Sequence, residues 1–331
     1  MLKPAIEKLI HRENLTQEQS KHAIQDVLGG ANIPQIAAFL MLMRAKGETV
    51  EEVHGVIDAM RSAMIPVQVG CPVLDIVGTG GDGLHTLNIS TAAAILAASC
   101  GVKVAKHGNR SVSSRAGSAD VLEALGINIH RPPHCIASSV KDIGIGFMFA
   151  PDYHPAFKRL KEIRKDLETR TVFNILGPLL NPANAEHLML GVFSEDLLDT
   201  VAELLLRLKQ DRSFVFHGCG LDELSCIGPA RVIEVSPKGK HSFLLDPLEF
   251  GLKRCAISDL RGKDAQYNAK KMIEAFEGVE SAFSDTMALN TGVACYLYGT
   301  VDSIQKGIEL AKTHLKEKRA LHLLNQWKAY V

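Results

Sequence analysis

The first 66 residues place apolar side chains at helical spacing, so this region is predicted to be an all-helical domain. Thr16-x-x-Gln19 and Thr49-x-x-Glu52 have the spacing of capping boxes, in which two side chains satisfy free amides at a helix start. Asn32 precedes the apolar run IAAFLMLM. Because that run is too apolar to face water, we expect it to pack in a core or in a subunit interface.

From about residue 70, short β-branched runs alternate with helical patterns, which is typical of a parallel sheet covered by helices. The predicted strands are VLDIV, VKVA, GIGFMFA, LMLGVF and SFVFHG, followed after residue 230 by RVIEVS and SFLLD. The remainder is mainly helical. The predicted fold class is therefore α/β, with a small all-helical domain over residues 1–66 and a large domain over residues 67–331. The large domain is expected to have a mostly parallel central sheet flanked by helices.

Composition and charge exclude several classes of function. The formal net charge is zero, so no sequence-wide field attracts nucleic acid or an anionic membrane. The seven cysteines are scattered without C-x-x-C spacing, which favours reduced thiols over a disulfide or zinc framework. The amino terminus carries charges where a signal peptide would be apolar, and no apolar run reaches the roughly 18 residues that span a bilayer. We expect a cytoplasmic protein with neither nucleic acid nor membrane as a partner.

Strand VLDIV leads directly into Gly78-Thr79-Gly80-Gly81-Asp82-Gly83, where glycines allow backbone amides to approach an anion. The spacing also fits a dinucleotide-binding loop, which requires a helix at the third glycine and an acid roughly 20 residues later. Here polar residues separate the glycines from the helix, and Lys106 stands near the expected acid. A dinucleotide site is therefore disfavoured, and no P-loop motif occurs. A tight turn without a ligand remains the alternative.

Two further polar segments follow the glycine loop. Asn88-Ile89-Ser90-Thr91 begins a helix, where free amides and the helix dipole favour phosphate, although Ser90 or Thr91 alone would also suit an N-cap. Strand VKVA is followed by a polar loop from Lys106 to Ser114, which carries Lys106 and Arg110 as permanent cations. Because ligands of parallel sheets bind at the carboxyl ends of strands, we expect both segments to face one crevice. Ser118 is predicted to cap the next helix, to bind the ligand, or to do both.

Asp222 and Glu223 follow strand SFVFHG in another glycine-rich segment. Adjacent carboxylates beside a phosphate site favour Mg²⁺, and consecutive side chains point apart in extended backbone, so the pair could serve two ions. The alternative is a solvated turn. Arg164 lies on a basic helix that begins near His154. It could bind a substrate carboxylate through a bidentate pair, or it could belong to a solvated face.

These segments together resemble the anthranilate phosphoribosyltransferase family. The resemblance rests on GTGGD (78–82), NIST (88–91), KHGNR (106–110), GSADVLEALG (117–126) and RTVFNILGPLLNPA (170–183), which occur in the family's order. It implies transfer of the phosphoribosyl group of phosphoribosyl pyrophosphate (PRPP) to the amine of anthranilate, with Mg²⁺, in tryptophan biosynthesis. It also implies a homodimer formed through the helical domains, and a return of the chain to the helical domain near residues 165–185.

The resemblance also implies a role for individual residues. The implied catalytic residues are Lys106, Asn109 and Arg164, and the implied Mg²⁺ ligands, for two ions, are Ser90, Asp222 and Glu223. The implied anthranilate contacts are Gly78, His107, Asn109 and Arg164. The implied PRPP contacts are Gly78, Gly81, Asp82, Thr86, Asn88, Ile89, Ser90, Thr91, Lys106, His107, Gly108, Asn109, Arg110, Ser111, Val112, Ser113, Ser114 and Ser118. Departures from the family pattern at LETR (167–170) and GPAR (228–231) affect only local loop geometry.

Two other functions compete with this interpretation. A pyrimidine nucleoside phosphorylase would share the architecture, but it should have a Lys-Met-Ser-type segment and no Asp-Glu pair. A non-catalytic nucleic-acid-binding relative should have a basic groove or degraded motifs, whereas the net charge here is zero. Both alternatives are therefore less consistent with the sequence.

Overall fold

A computed structural model describes residues 2–111 and 115–330, apart from the side chains of Lys158, Arg159, Lys161 and Arg164. The chain divides into two compact units, Met1–Pro66 with Pro151–Pro182, and Val67–Ala150 with Ala183–Val331. The segment that returns to the helical unit starts earlier than the 165–185 expected from the resemblance. It does so because the helix Phe157–Leu167 contacts the helix Ile33–Lys46 of that unit.

All regular secondary structure in the described residues of the first unit is helical. Its helices are α1 (Leu2–Ile10), α2 (Gln17–Gly29), α3 (Ile33–Lys46), α4 (Val50–Ser62), α8 (Ala150–Tyr153), α9 (Phe157–Leu167) and α10 (Phe173–Leu176), and a 3₁₀ turn follows at Gly177–Leu179. Both predicted capping boxes are present, at Thr16 and at Thr49. Helix α3 buries one row of its apolar side chains, from Ile36 to Met43, whereas Ile33 at its start is exposed.

A buried ion pair connects the ends of three helices in this unit. The carboxylate of Glu52 lies 2.9 Å from the ammonium of Lys46, and both side chains are almost fully buried. The same carboxylate accepts hydrogen bonds from the amides of Leu15 and Thr49. Because every polar atom of a buried carboxylate needs such a partner, Glu52 fixes the start of α4 against the loop that precedes α2.

The second unit contains a seven-stranded sheet within its described residues, and all seven predicted strands are confirmed. They are β1 (Leu74–Gly78), β2 (Val104–Gly108), β3 (Ile145–Phe149), β4 (His187–Gly191), β5 (Arg212–His217), β6 (Ala230–Ser236) and β7 (Gly239–Leu245). The order is β3-β2-β1-β4-β5-β6-β7, parallel from β3 to β5 and antiparallel for the last two strands. Strands β2 and β3 lie on one side of β1, and β4 to β7 lie on the other side. Because ligands of such sheets bind where the strand order reverses, the crevice is expected at the carboxyl end of β1.

Helices of the second unit enclose the sheet. They are α5 (Ile89–Ser99), α6 (Ser118–Ala124), α7 (Pro133–Ile143), α11 (Leu198–Arg207), α12 (Ala265–Phe276), α13 (Ala282–Tyr298), α14 (Ile304–Lys316) and α15 (Arg319–Ala329), with 3₁₀ turns at Glu195–Leu197, Pro247–Phe250 and Ile257–Leu260. The alanine-rich α5 is almost wholly buried and packs on α13, because small side chains permit close approach. Across the described residues, no helix combines the length and apolarity needed to cross a membrane.

Candidate active site

Three parallel strands end together at a pair of glycines and an aspartate. Gly78 at the end of β1 lies beside Gly191 at the end of β4, and Asp222 follows β5. A methyl group on Gly78 would lie 2.3 Å from Oδ2 of Asp222. A methyl group on Gly191 would lie 1.7 Å from the carbonyl oxygen of Asp222. Both positions therefore require glycine for Asp222 to reach across the strand ends.

The glycine loop after β1 is held by this aspartate. The amide of Gly80 donates to Oδ2 of Asp222 at 2.6 Å, and the amide of Thr79 donates to the carbonyl oxygen of Gly191 at 2.9 Å. Gly80, Gly81 and Gly83 all have positive φ, a conformation that side chains disfavour. The loop is therefore a turn made of backbone, with one amide already committed to a carboxylate.

The amino terminus of α5 lies beside the acidic pair. Asn88 occupies the N-cap position without a side-chain capping bond, so the alternative of Ser90 or Thr91 as the N-cap is wrong. The amide of Ser90 donates to Oε1 of Glu223 at 3.3 Å. The buried hydroxyl of Thr91 has no hydrogen-bond partner among the described residues. The side chain of Ile89 is in the core, so only its backbone can contact a ligand.

Lys106, predicted in a loop, lies inside the sheet. Strand β2 continues through Gly108 because it pairs with β3 along its whole length, so the predicted strand end was wrong. The Lys106 ammonium donates to the carbonyl oxygen of Ile76 at 2.5 Å. Burial lowers the pKa of Lys106, while the negative charges of Asp75 and Glu223 oppose that change. The Lys106 amino group therefore lies inside the sheet, close to the carboxylates of Asp75 and Glu223.

The next residues of β2 and the start of α6 are in close contact. The side chain of His107 is buried, and its amide donates to Oδ1 of Asp75 at 3.3 Å. A methyl group on Gly108 would lie 2.3 Å from the hydroxyl of Ser118. Ser118 is the first residue of α6 and donates to the carbonyl oxygen of Asn109, whereas the N-cap is Gly117. The predicted capping role of Ser118 is therefore wrong.

Arg110 binds helix α6, and its guanidinium forms ion pairs with Asp120 and Glu123. Asp120 also accepts hydrogen bonds from the amides of Ser111 and Gly117, so it fixes both ends of the loop. These ion pairs balance the charge of Arg110 locally, and its implied contact with PRPP stays a prediction. Asn109 is exposed, and its Oδ1 accepts from the Arg110 amide. Val112, Ser113 and Ser114 lie outside the described residues.

Asp222 and Glu223 face different neighbours, as their consecutive positions predicted. Burial, followed by the negative charge of Asp82, raises the pKa of Asp222 to about 7. Burial, followed by the charge of Asp222, raises the pKa of Glu223 to about 8, although Lys106 and Ser90 act in the opposite direction. Both carboxyls therefore keep their protons to a higher pH than exposed carboxyls do.

The residues at this position fit Mg²⁺. Two carboxylates and the Ser90 hydroxyl are hard oxygen ligands, and a divalent cation would offset the burial and the neighbouring negative charge that raise both pKa values. No group of three or more His, Cys, Asp or Glu side chains in the described residues has the arrangement of a metal site. Magnesium nevertheless needs only one or two carboxylates when phosphate oxygens and waters complete its coordination.

Arg164 lies on α9 in the first unit, and its side chain is outside the described residues. Its implied contact with anthranilate therefore stays a prediction. Helix α9 is followed by Glu168 at φ 46°, within the LETR segment that departs from the family pattern. The departure thus places an ordinary side chain in the left-handed conformation that favours glycine.

Comparisons with known proteins cover the whole chain. A family model described as the a/b domain of a glycosyl transferase family matches residues 70–321, and the model of its helical bundle domain matches residues 3–64. Anthranilate phosphoribosyltransferase from Chlamydia caviae is 45% identical over 331 residues, which span 100% of this chain and 96% of that protein. The chain belongs to the anthranilate phosphoribosyltransferase family.

Solved structures of the family have the same fold. The enzyme from Thermus thermophilus superposes with a TM-score of 0.93 at 41% identity, covering 98% of each chain. A structure of the Saccharomyces cerevisiae enzyme in complex with PRPP and Mg has a TM-score of 0.92 at 28% identity, covering 99% of this chain and 97% of that one. The predicted fold class and the resemblance are therefore confirmed.

Three residues that contribute to the site were not selected from the sequence. Asp75 is fully buried in β1, beside the Lys106 charge, and an acid within the apolar run VLDIV was the available signal. Gly191 ends a strand where only glycine fits, but a single glycine in LMLGVF gives no signal of its own. Asn268 contacts Asn88 from a position 180 residues away, so no local pattern could have revealed it.

Proposed function

We propose that this protein transfers the 5-phosphoribosyl group of PRPP to the amine of anthranilate, giving N-(5-phosphoribosyl)anthranilate and pyrophosphate in tryptophan biosynthesis. The observation that carries the proposal is the convergence of a glycine loop and a helix amino terminus on one acidic pair. Asp222 accepts from the Gly80 amide, and Glu223 accepts from the Ser90 amide. Such a site suits a phosphate ligand that arrives with a divalent cation. The activity named for the full-length relatives supports the same reaction.

Ser90, Asp222 and Glu223 would hold Mg²⁺, and we propose two ions when PRPP is bound. The cation supplies charge neutralisation for the departing pyrophosphate. The structure of the yeast enzyme in complex with PRPP and Mg supports this requirement. The positive charge of Lys106 would favour the ionised form of Glu223, because it acts to lower the pKa of that carboxyl. It would therefore oppose the rise in pKa that burial and Asp222 cause, and would favour the carboxylate form that a metal ion needs.

In the proposed reaction, the bond from the ribose anomeric carbon to the pyrophosphate oxygen breaks, and a bond from that carbon to the anthranilate nitrogen forms. Positive charge develops on the sugar as in other glycosyl transfers. Amides of the glycine loop and of the α5 amino terminus stabilise the negative charge on the leaving oxygens. The nitrogen then loses one proton. The aromatic amine of anthranilate is neutral near pH 7, so this step does not require a strong general base.

We assign His107 as an anthranilate contact, together with Gly78, Asn109 and Arg164. Asn109 and Arg164 would orient the carboxylate of anthranilate so that its nitrogen faces the anomeric carbon, which lowers the entropic barrier. The resemblance supports these roles. If His107→Ala abolished turnover and left anthranilate binding intact, the histidine would be a base and the assignment would be wrong.

We further propose a cytoplasmic homodimer formed through the helical units. Exposed Ile10 at the end of α1 and exposed Ile33 at the start of α3 support an interface there. Light scattering at micromolar concentration tests this state, and a monomeric mass would contradict it.

A substrate panel tests the reaction itself. The purified chain is incubated with Mg²⁺ and PRPP plus anthranilate, or with a pyrimidine nucleoside plus phosphate, and the products are identified by mass spectrometry. We expect phosphoribosylated anthranilate and pyrophosphate in the first mixture and unchanged nucleoside in the second. Cleavage of the nucleoside would instead identify a phosphorylase.

A further inference from the structure

The side chain of Asn88 is hydrogen-bonded at both ends. Its Oδ1 accepts from Nδ2 of Asn268 at 2.9 Å, and its Nδ2 donates to the carbonyl oxygen of Ala116 at 3.1 Å. Asn268 is 2% exposed, and its Oδ1 accepts from the amide of Lys263 at 2.8 Å. A chain of hydrogen bonds therefore runs from the Lys263 amide through both side chains to Ala116.

The polarity of this chain is fixed by its two ends. An amide N–H at Lys263 can only donate, so Asn268 must present its oxygen there and its nitrogen to Asn88. The carbonyl of Ala116 can only accept, so Asn88 must present its nitrogen there. Only one orientation of each side-chain amide satisfies all three hydrogen bonds. Asn268 thereby determines which way Asn88 faces.

This chain of hydrogen bonds through Asn268 and Asn88, called the bridge below, joins two segments of the candidate site. Asn88 occupies the N-cap position of α5 but makes no capping bond, so its side chain does not cover the first amides of that helix. Ala116 precedes Gly117, whose amide donates to Asp120, as does the amide of Ser111. The bridge therefore sets the position of Ala116 relative to the amino terminus of α5.

The segment that carries Asn268 also supports the stretch before Asn88. The amide of Leu87 donates to the carbonyl oxygen of Leu260 at 2.8 Å. The amide of Gly262 donates to the carbonyl oxygen of His85, also at 2.8 Å. A methyl group on Gly262 would lie 2.6 Å from the carbonyl oxygen of Thr86. The segment from Leu260 to Asn268 thus contacts residues 85–88 through backbone hydrogen bonds, through close packing at Gly262, and through the Asn268 side chain.

We propose that Asn268 is a positioning residue for the PRPP site, which acts through Asn88 and Ala116 without touching the substrate. The proposal rests on the proposed function, because PRPP is the ligand that the positioned segments would bind. Loss of the Asn268 donor leaves Asn88 free to turn and leaves the loop at Ala116 without this anchor. Small displacements of binding groups reduce rates strongly, so we expect PRPP affinity to fall about tenfold or more.

Asn268→Asp tests the proposal, because it keeps the acceptor for Lys263 and nearly the same shape but removes the donor to Asn88. Asp264→Ala is the matched control. Asp264 caps the same helix through the Tyr267 amide, so its loss weakens α12 without removing the bridge. We measure KM for PRPP, KM for anthranilate, kcat, and the dissociation constant of Mg²⁺-PRPP by calorimetry.

We expect Asn268→Asp to raise both KM and the dissociation constant for PRPP about tenfold, with KM for anthranilate within about twofold of the parent. Asp264→Ala should lower the melting temperature and leave KM for PRPP unchanged. A merely structural role would reduce the active fraction, and hence kcat, in both variants alike. A rise in KM for PRPP of less than about threefold in Asn268→Asp, or an equal rise in Asp264→Ala, overturns the proposal. An inactive parent would instead refute the proposed function.

Should Asn268→Asp fail to fold, Gly262→Ala perturbs the same support from the backbone side, and it should raise KM for PRPP more than KM for anthranilate. Circular dichroism of each variant shows whether it is folded. If KM for PRPP and KM for anthranilate changed equally in a folded Gly262→Ala protein, the proposal would also be overturned.

Discussion

Asp222, which we propose as a Mg²⁺ ligand, is expected to destabilise the protein when no metal is bound. Its pKa of about 7, against an ordinary value of 3.8, means that the folded protein binds this proton more tightly than the unfolded chain does. That difference corresponds to roughly 4 kcal/mol once the carboxylate is ionised. The contribution of Asp222 to the free energy of unfolding of the Mg²⁺-free protein should therefore be most favourable below about pH 4. It should be lost as the pH rises through about 7.

Asp222→Asn removes the charge and keeps an oxygen that can accept from the Gly80 amide. A buried amide has a desolvation cost of its own, so we expect a gain of roughly 2 kcal/mol at pH 8, or about 5 °C in melting temperature. The gain should be smaller at pH 5, where the parent carboxylate is mostly protonated. At the same time, the Mg²⁺-dependent activity should fall by about a hundredfold or more, because a ligand is lost.

Thermal unfolding followed by circular dichroism in EDTA at pH 5 and pH 8 measures this effect. The exposed Asp196 provides the control Asp196→Asn, which should change neither the melting temperature nor its pH dependence. If Asp222→Asn melted below the parent at pH 8, or if its advantage were equal at both pH values, ionisation of the buried Asp222 carboxyl would not be the cause of the instability. A second series with Mg²⁺ and pyrophosphate should stabilise the parent and leave the variant unaffected.

Three other substitutions test separate parts of the structure. Gly191→Ala should lower melting temperature and kcat together, because the methyl would lie 1.7 Å from the Asp222 carbonyl oxygen; parent-like values would contradict the close packing. Glu168→Gly should raise stability in a thermal scan by about 1 kcal/mol, since φ is 46° there, and a loss would argue against strain. Glu52→Gln should destabilise the protein to urea by roughly 3 kcal/mol, because Lys46 loses its buried partner; a smaller change than for exposed Glu51→Gln would refute this.

The sheet was predictable because its strands are short, apolar and separated by clear helical patterns. Strand ends were less certain where polar residues continue a strand. Lys106 to Gly108 look like a loop, yet they pair with β3, since tertiary pairing overrides local polarity. Ser118 has the right identity for an N-cap, but Gly117 and Asp120 form the cap instead. Local pattern therefore located these elements to within a few residues and misassigned individual roles.

The candidate site could be predicted where its residues are grouped in the sequence, as at the glycine loop and at Asp222-Glu223. Contacts between distant segments could not be predicted. The pairing of Arg110 with α6, the approach of Asp222 to Gly191, and the bridge from Asn268 to Asn88 all join residues from separate elements. Such contacts depend on the packed geometry of the second unit, which spacing along the chain does not encode.

The most direct test of the central claim is the fluorescence of anthranilate after the full chain is mixed with PRPP, in parallel with Mg²⁺ and with EDTA, while released pyrophosphate is measured. We expect loss of anthranilate fluorescence with one pyrophosphate released for each anthranilate consumed, and no change in EDTA. Unchanged fluorescence in the presence of Mg²⁺, from a protein that is folded by circular dichroism, would contradict it.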